Sequence, residues 1–213
     1  MNKKWFSIPL FMVFIFLNYY WLQYHSVLNI YKQILLIFTG IIIYLIAAII
    51  YIVYAKDNRR RLIIYRILII GLFSYYVIFL VSVLFLDGYF FSRGGMDYVN
   101  KVPFYTIKKY YLTMKNNNDL AAFANLMGNA ILFAPMGLLL PLLADIFKNP
   151  YVFTLTMIFM VGMAEFSQYY FHVGGADIDD IILNVLGSLI VFMIYKILAY
   201  VLKDKIEVYF KNN

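Results

Sequence analysis

The sequence predicts an all-α integral membrane protein, a bundle of about six transmembrane helices with one long extracytoplasmic loop, and three observations carry that prediction. Of the 213 residues, 64% are hydrophobic and 14% are charged, whereas about a quarter of a soluble globular chain is charged. The apolar residues run in long blocks, several of which reach the roughly 20 residues that a bilayer crossing requires. Alternation with period two is missing, which sets closed barrels aside and leaves helices to satisfy their own backbone in hydrocarbon.

The blocks place helices near residues 5–23, 34–54, 62–86, 126–147, 151–171 and 178–202. The first follows Lys3 and Lys4 like a signal peptide. It lacks a small-residue cleavage site and ends in Tyr19, Tyr20 and Trp21, an interfacial aromatic belt, so it reads as an uncleaved helix. The chain then divides into two N-terminal helices with a basic cytoplasmic loop (1–61), a four-helix membrane core (62–202) and a cytoplasmic tail (203–213).

The net charge of +7 reports topology rather than nucleic-acid binding, because the basic residues gather at the ends of apolar blocks. With the N-terminus inside, the inner segments hold Lys3, Lys4, Lys56, Arg59, Arg60, Arg61, Arg66, Lys148, Lys196, Lys203, Lys205 and Lys211. The outer segments hold Lys32, Arg93, Lys101, Lys108, Lys109 and Lys115. Twelve against six places both termini in the cytoplasm. Arg66, one turn into the third helix, reads as snorkelling to the inner surface. The outer loop, about 87–125, interleaves Tyr89, Phe90, Phe91, Phe104, Tyr105, Tyr110 and Tyr111 with lysines. That mixture suits either a segment lying against anionic headgroups or an ordered cap on the bundle.

Polar side chains inside a span are costly and call for a partner or a purpose. The fourth helix carries Asn125 and Asn129 one turn apart. The fifth carries Glu165, Gln168 and His172 at spacings of three and four, and the sixth opens with Asp177, Asp180, Asn184 and Ser188 in one stripe, with Asp179 pointing roughly the other way. Glu165 and Asn184 each lie about six residues from the outer ends of their helices, roughly 9 Å deep at 1.5 Å per residue. The short link through Gly174 and Gly175 makes these two helices an antiparallel pair, so that Glu165 can face Asn184, and Gln168 or His172 can face Asp180. Bland roles stand beside these: Asp177 as an N-cap, Asn129, Gln168, Asn184 and Ser188 as interhelical hydrogen-bond glue, and His172 as a boundary residue. Pro135 frees the carbonyl of Ile131 and predicts a kink in the fourth helix. No cysteine is present, and His25 and His172 are the sole histidines. No metal site and no cofactor are therefore expected.

At these residues the chain resembles the VanZ-like family of bacterial membrane proteins. The matching patterns are Asn100-Lys-Val-Pro103-Phe104, Asn125-x-x-x-Asn129-x-x-x-Phe133-x-Pro135-x-Gly137, Glu165-x-x-Gln168, and Asp177-Ile-Asp179-Asp180-x-x-x-Asn184-x-x-Gly187. The resemblance covers roughly residues 62–200. It differs from many members at Gly174-Gly175-Ala176, where an arginine commonly precedes the acidic run. A mechanism that needs a cation there would have to borrow one, from Arg93 or Lys101. The family takes its name from a protein associated with resistance to teicoplanin, so the resemblance implies a role at the cell envelope without supplying a reaction.

Three functions follow from the sequence. The first is an envelope factor in the cell membrane whose outer polar site, built from Asn100, Pro103, Phe104, Asn125, Asn129, Glu165, Gln168, Asp177, Asp180 and Asn184, binds a membrane lipid, a lipid-linked cell-wall precursor, a glycopeptide or another membrane protein. The second is an intramembrane enzyme acting on an outer-leaflet lipid or precursor, with Glu165 or Asp180 as general base and His172 as its partner. The third is a small transporter, favoured by the prolines of the fourth helix and disfavoured by the missing internal repeat.

Overall fold

The computed structural model describes residues 12–17, 19–20, 30–53, 58–85, 99–117 and 119–211. It is built from helices α1 (Ile30–Val53), α2 (Asn58–Phe85), α3 (Tyr105–Asn117), α4 (Leu120–Leu132), α5 (Met136–Leu143), α6 (Pro150–Tyr170) and α7 (Ile178–Lys211). A 3₁₀ turn at Asp145–Lys148 and two short strands, β1 (Val99–Asn100) and β2 (Ala176–Asp177), complete it. Four helical stretches are long and apolar enough to cross a membrane: Leu62–Phe85, Leu120–Leu143, Pro150–Tyr170 and Ile178–Leu202. They correspond to the third to sixth expected helices. α1 covers the second, while residues 5–11, 18 and 21–23 of the first lie outside the described residues.

Two compact units divide after Ser74, within α2. In the first, the Tyr44 hydroxyl donates to the Leu68 carbonyl at 2.6 Å, and Tyr44, Ala48 and Leu68 form a core with Phe14, Ile64 and Leu72. In the second, α7 is the helix on which α4, α5 and α6 pack. The interior of this unit is mixed, with Phe133, Met136, Phe153, Met157 and Phe192 buried at one level and polar side chains buried at another, while its outer surface is apolar. Leu155, Phe159 and Phe166 of α6 and Leu186, Ile190, Met193 and Ile197 of α7 are exposed, while Glu165, Gln168, Asp177, Asp179, Asp180 and Asn184 are buried. An apolar outer surface with the costly polar groups kept inside is the arrangement that a lipid solvent selects.

The span Leu120–Leu143 is broken as Pro135 predicts, and its backbone groups are re-satisfied locally. Ala134 N–H donates to Ile131 O at 3.1 Å, Met136 N–H to Phe133 O at 3.1 Å, and Gly137 N–H to Ala134 O at 3.0 Å. The buried Tyr76 hydroxyl donates to the Leu132 carbonyl. The expected loop 87–125 is in part helical: α3 occupies 105–117, and α4 starts at Leu120 because Asp119 Oδ1 accepts the Ala121 and Ala122 N–H groups at 2.9 and 3.3 Å. α7 continues as a helix through the segment 203–211 expected as a tail.

Two glycines set how closely α7 approaches its neighbours. A Cβ at Gly187 would lie 1.7 Å from the Ala130 carbonyl oxygen, and one at Gly137 would lie 2.3 Å from that of Ser188. Small residues at such crossings let backbones meet where lipid offers no hydrophobic drive. Gly187→Ala and Gly137→Ala should each lower the stability of the full chain by about 2 kcal/mol or more, read by reversible unfolding in mixed micelles. Gly162→Ala, with nothing within 4 Å of its added Cβ, should be neutral or stabilise by up to about 1 kcal/mol. Equal stability of all three with the parent chain would contradict the close approach.

Candidate functional site

Two neighbouring groups of polar side chains occupy the end of the bundle where α6 hands over to α7. The handover is tight. Phe171 N–H donates to Ser167 O at 2.9 Å, while the Val173 and Gly174 N–H groups both donate to Gln168 O, at 3.0 and 3.2 Å. His172 takes a φ of 56°, so the chain reverses at once and delivers β2 and the acidic start of α7 beside the last turns of α6.

The first group is a clasp. β1 pairs in parallel with β2, Val99 opposite Ala176 and Asn100 opposite Asp177. Asp177 accepts from Asn100 Nδ2 at 2.9 Å and from Thr106 Oγ1 at 2.7 Å. It also accepts the Asp179 N–H at 2.9 Å, which makes it the N-cap of α7. Asp179, fully buried at 0% exposure, turns to the other side and accepts the N–H groups of Phe104 at 2.5 Å, Thr106 at 2.6 Å and Ile107 at 3.1 Å. These are orphan donors at the start of α3, where the helix dipole favours a negative charge. Phe104, at the N-cap position, has no side-chain acceptor to offer and sits at a φ of 64°, a conformation that costs an aromatic residue about 1 kcal/mol or more. A carboxylate more than seventy residues away in sequence takes the role of its missing cap.

The second group is a cavity of about 20 Å³ lined by Leu84, Asn129, Leu132, Glu165, Gln168, Gly174, Gly175, Asp180 and Asn184. Asn129 Nδ2 donates to Asp180 Oδ1, Asn184 Nδ2 to the Asp180 carbonyl at 2.8 Å, and Gln168 Nε2 to Leu84 O at 3.0 Å. Glu165 belongs to both groups, since its Oε2 accepts the Asp177 N–H at 3.1 Å. Among the described residues lining the cavity there is no Lys, Arg or His.

Five of the residues expected at the site thus share one cavity: Asn129, Glu165, Gln168, Asp180 and Asn184. Glu165 and Asn184 line it together, as their depths predicted. Asn100 and Asp177 belong to the clasp, and Pro103 and Phe104 form the exposed turn between β1 and α3. Asn125 is half-buried one turn before Asn129 and does not line the cavity. His172 is exposed and also outside the lining. Lys101 is exposed, and Arg93 lies outside the described residues. Thr106 and the role of Asp179 escaped the sequence reading. Their one signal was a helix beginning after Pro103-Phe104 with no capping side chain of its own, while a carboxylate stood out of the stripe on α7.

Thr106→Val removes a buried donor from Asp177 while keeping side-chain shape. It should destabilise the folded chain by about 1–3 kcal/mol, read as a lowered unfolding midpoint in mixed micelles. An unchanged midpoint would mean that the clasp contributes nothing.

No curated protein and no solved structure matches the chain. A family model described as VanZ/LLP1 matches residues 41–199, which takes in α2 to α6, both strands and most of α7. The four apolar spans and this match make the chain a multi-pass membrane protein that belongs to the VanZ/LLP1 family.

Proposed function

We propose that this protein is a cell-envelope factor, with both termini cytoplasmic, that engages a polar group of a membrane lipid, a lipid-linked wall precursor or a partner membrane protein at the extracytoplasmic end of its core. By doing so it alters the access of teicoplanin-type glycopeptides to their target. The observation that carries this reading is the convergence of Asn129, Glu165, Gln168, Asp180 and Asn184, from three helices, on one cavity. Interhelical glue would need pairs of polar groups, and a lined cavity offers room besides. The exposed lysines and aromatics of α3, among them Lys108, Lys109, Lys115, Tyr105 and Tyr111, suit an element resting on anionic headgroups beside that cavity. The size of the cavity limits what enters: about 20 Å³ admits a particle the size of one water. A sugar or an entire headgroup is too large, so any larger ligand places only its tip there.

The enzyme reading retains one supporting observation, that Glu165 and Asp180 line the same cavity. It loses its proton partner, because His172 is outside that lining. A new lipid or precursor mass in cells expressing the protein would restore it.

The functional test is glycopeptide susceptibility in a sensitive Gram-positive host expressing the parent chain or Asn129→Ala at matched membrane levels. The parent chain should reduce susceptibility to teicoplanin selectively over vancomycin, and Asn129→Ala should lose most of that effect. No protection by the parent chain, or full protection by the variant, would contradict the proposal.

A further inference from the structure

Helix α3 is pinned at both ends to the edge of the apolar layer. Its first turn is held by Asp179, the second residue of the span Ile178–Leu202, and its last residue, Asn117, lies three positions before the span Leu120–Leu143. The spans Leu120–Leu143, Pro150–Tyr170 and Ile178–Leu202 are consecutive crossings joined by short links, so the first and the third begin on the same side. A helix of 13 residues, about 20 Å long, with its two ends at that level therefore lies along the boundary rather than standing away from it. Tyr170, Phe171 and Val173 are exposed at the same end of α6, as side chains at a membrane interface are.

The two sides of α3 differ in kind. At about 100° per residue, Thr106, Ile107, Tyr110, Thr113 and Met114 share one side, and these are its buried and half-buried residues. The other side carries Tyr105 and Leu112 in line, 54% and 43% exposed, with Lys108 and Lys115 along one flank and Lys109 along the other. Lys101, Val102 and Phe104, all exposed, continue the mixture ahead of the helix, and residues 99–117 contain no acidic side chain. Phe104 is the telling position. Its backbone lies at a φ of 64°, which glycine adopts without steric cost, yet the chain places there an aromatic ring that is 62% exposed. Neither backbone nor packing calls for that ring, whereas an apolar phase beside it does.

We propose that α3 and the turn before it form an interfacial anchor that docks onto anionic phospholipid. Phe104, Tyr105 and Leu112 enter the boundary between headgroups and acyl chains, and Lys108, Lys109 and Lys115 meet the lipid phosphates. Lysines flanking an apolar stripe suit a helix lying in that plane, because their stems cover apolar surface while the ammonium groups reach the headgroups. A helix capping the bundle in water would leave the apolar stripe wetted, and a surface without net charge would leave the lysines without a counter-charge. An anionic lipid surface answers both. The inference deepens the proposed function, resting on the reading that this end of the protein engages membrane lipid, and it names the class of that lipid.

The chain has no cysteine, so Leu112→Cys supplies a single site for a bimane fluorophore. The labelled full chain is placed in phosphatidylcholine nanodiscs doped with nitroxide-bearing phosphatidylglycerol or, at the same dose, nitroxide-bearing phosphatidylcholine. The phosphatidylglycerol analogue should quench the label at least about threefold more strongly, since each lysine near an anionic surface favours it by about fivefold. Raising the salt to about 1 M, where the screening length falls to about 3 Å, should remove the preference with no further substitution. Lys108→Gln, Lys109→Gln and Lys115→Gln together should remove it at low salt. A label at Leu186→Cys, 51% exposed on α7, should be quenched alike by both analogues. The inference is overturned if neither analogue quenches at Leu112 while both quench at Leu186, the result expected of a helix in water or under a partner protein. Equal quenching by the two analogues at Leu112, or a preference that survives both salt and the lysine substitutions, overturns it as well. The functional reading fails separately: a lipid preference without teicoplanin protection keeps the anchor and loses the envelope role, and protection without the preference does the reverse.

Discussion

A carboxylate enclosed in protein must find donors, and Asp179 finds three in the backbone N–H groups of Phe104, Thr106 and Ile107. Each partner is itself a group that would otherwise stand unpaired at the start of a helix. The exchange settles two costs at once, and it ties α3 to the opening turn of α7. The rest of this end of the molecule is arranged by that tie. With α3 held, Thr106 is placed to donate to Asp177, β1 can pair with β2, and the segment before α3 is fixed against the α6–α7 turn.

The acidic run 177–180 contains three side chains with separate tasks within four consecutive positions. Asp177 caps α7 and gathers Asn100 and Thr106, Asp179 caps α3, and Asp180 faces Asn129 and the cavity. A helix turns about 100° per residue, so adjacent acids at its start necessarily point in different directions, and a short motif can serve two neighbours and a cavity together. Glu165 joins the two regions, holding the Asp177 N–H from the wall of the cavity.

Much of the architecture was legible because lipid imposes a strong code. The blocks 62–86, 151–171 and 178–202 are apolar for the length of a crossing, and the polar stripes on the fourth to sixth expected helices point to one end by simple helical spacing. The cavity residues Asn129, Glu165, Gln168, Asp180 and Asn184 are found through that spacing. What the spacing could not convey is the partner of a side chain that leaves the stripe. Asp179 reads as pointing away, and the element it points to begins more than seventy residues earlier. Thr106 carries no signal by itself, since its hydroxyl becomes informative only when Asp177 is brought beside it. His172 fits the stripe on α6 by number, but the helix ends at Tyr170 and a left-handed backbone at His172 turns it outward. The early start of α4 follows from Asp119, a capping residue placed ahead of an alanine-rich turn whose hydrophobicity is too weak to mark a span.

The central claim is that neighbouring acids on α7 divide the work, Asp179 holding α3 and Asp180 building the cavity. Hydrogen–deuterium exchange of the Phe104, Thr106 and Ile107 amides, compared in full-length Asp179→Asn and Asp180→Asn proteins in nanodiscs, tests it most directly. The account predicts that these amides lose protection in Asp179→Asn and keep it in Asp180→Asn. Equal protection in the two variants, or selective loss in Asp180→Asn, would contradict it.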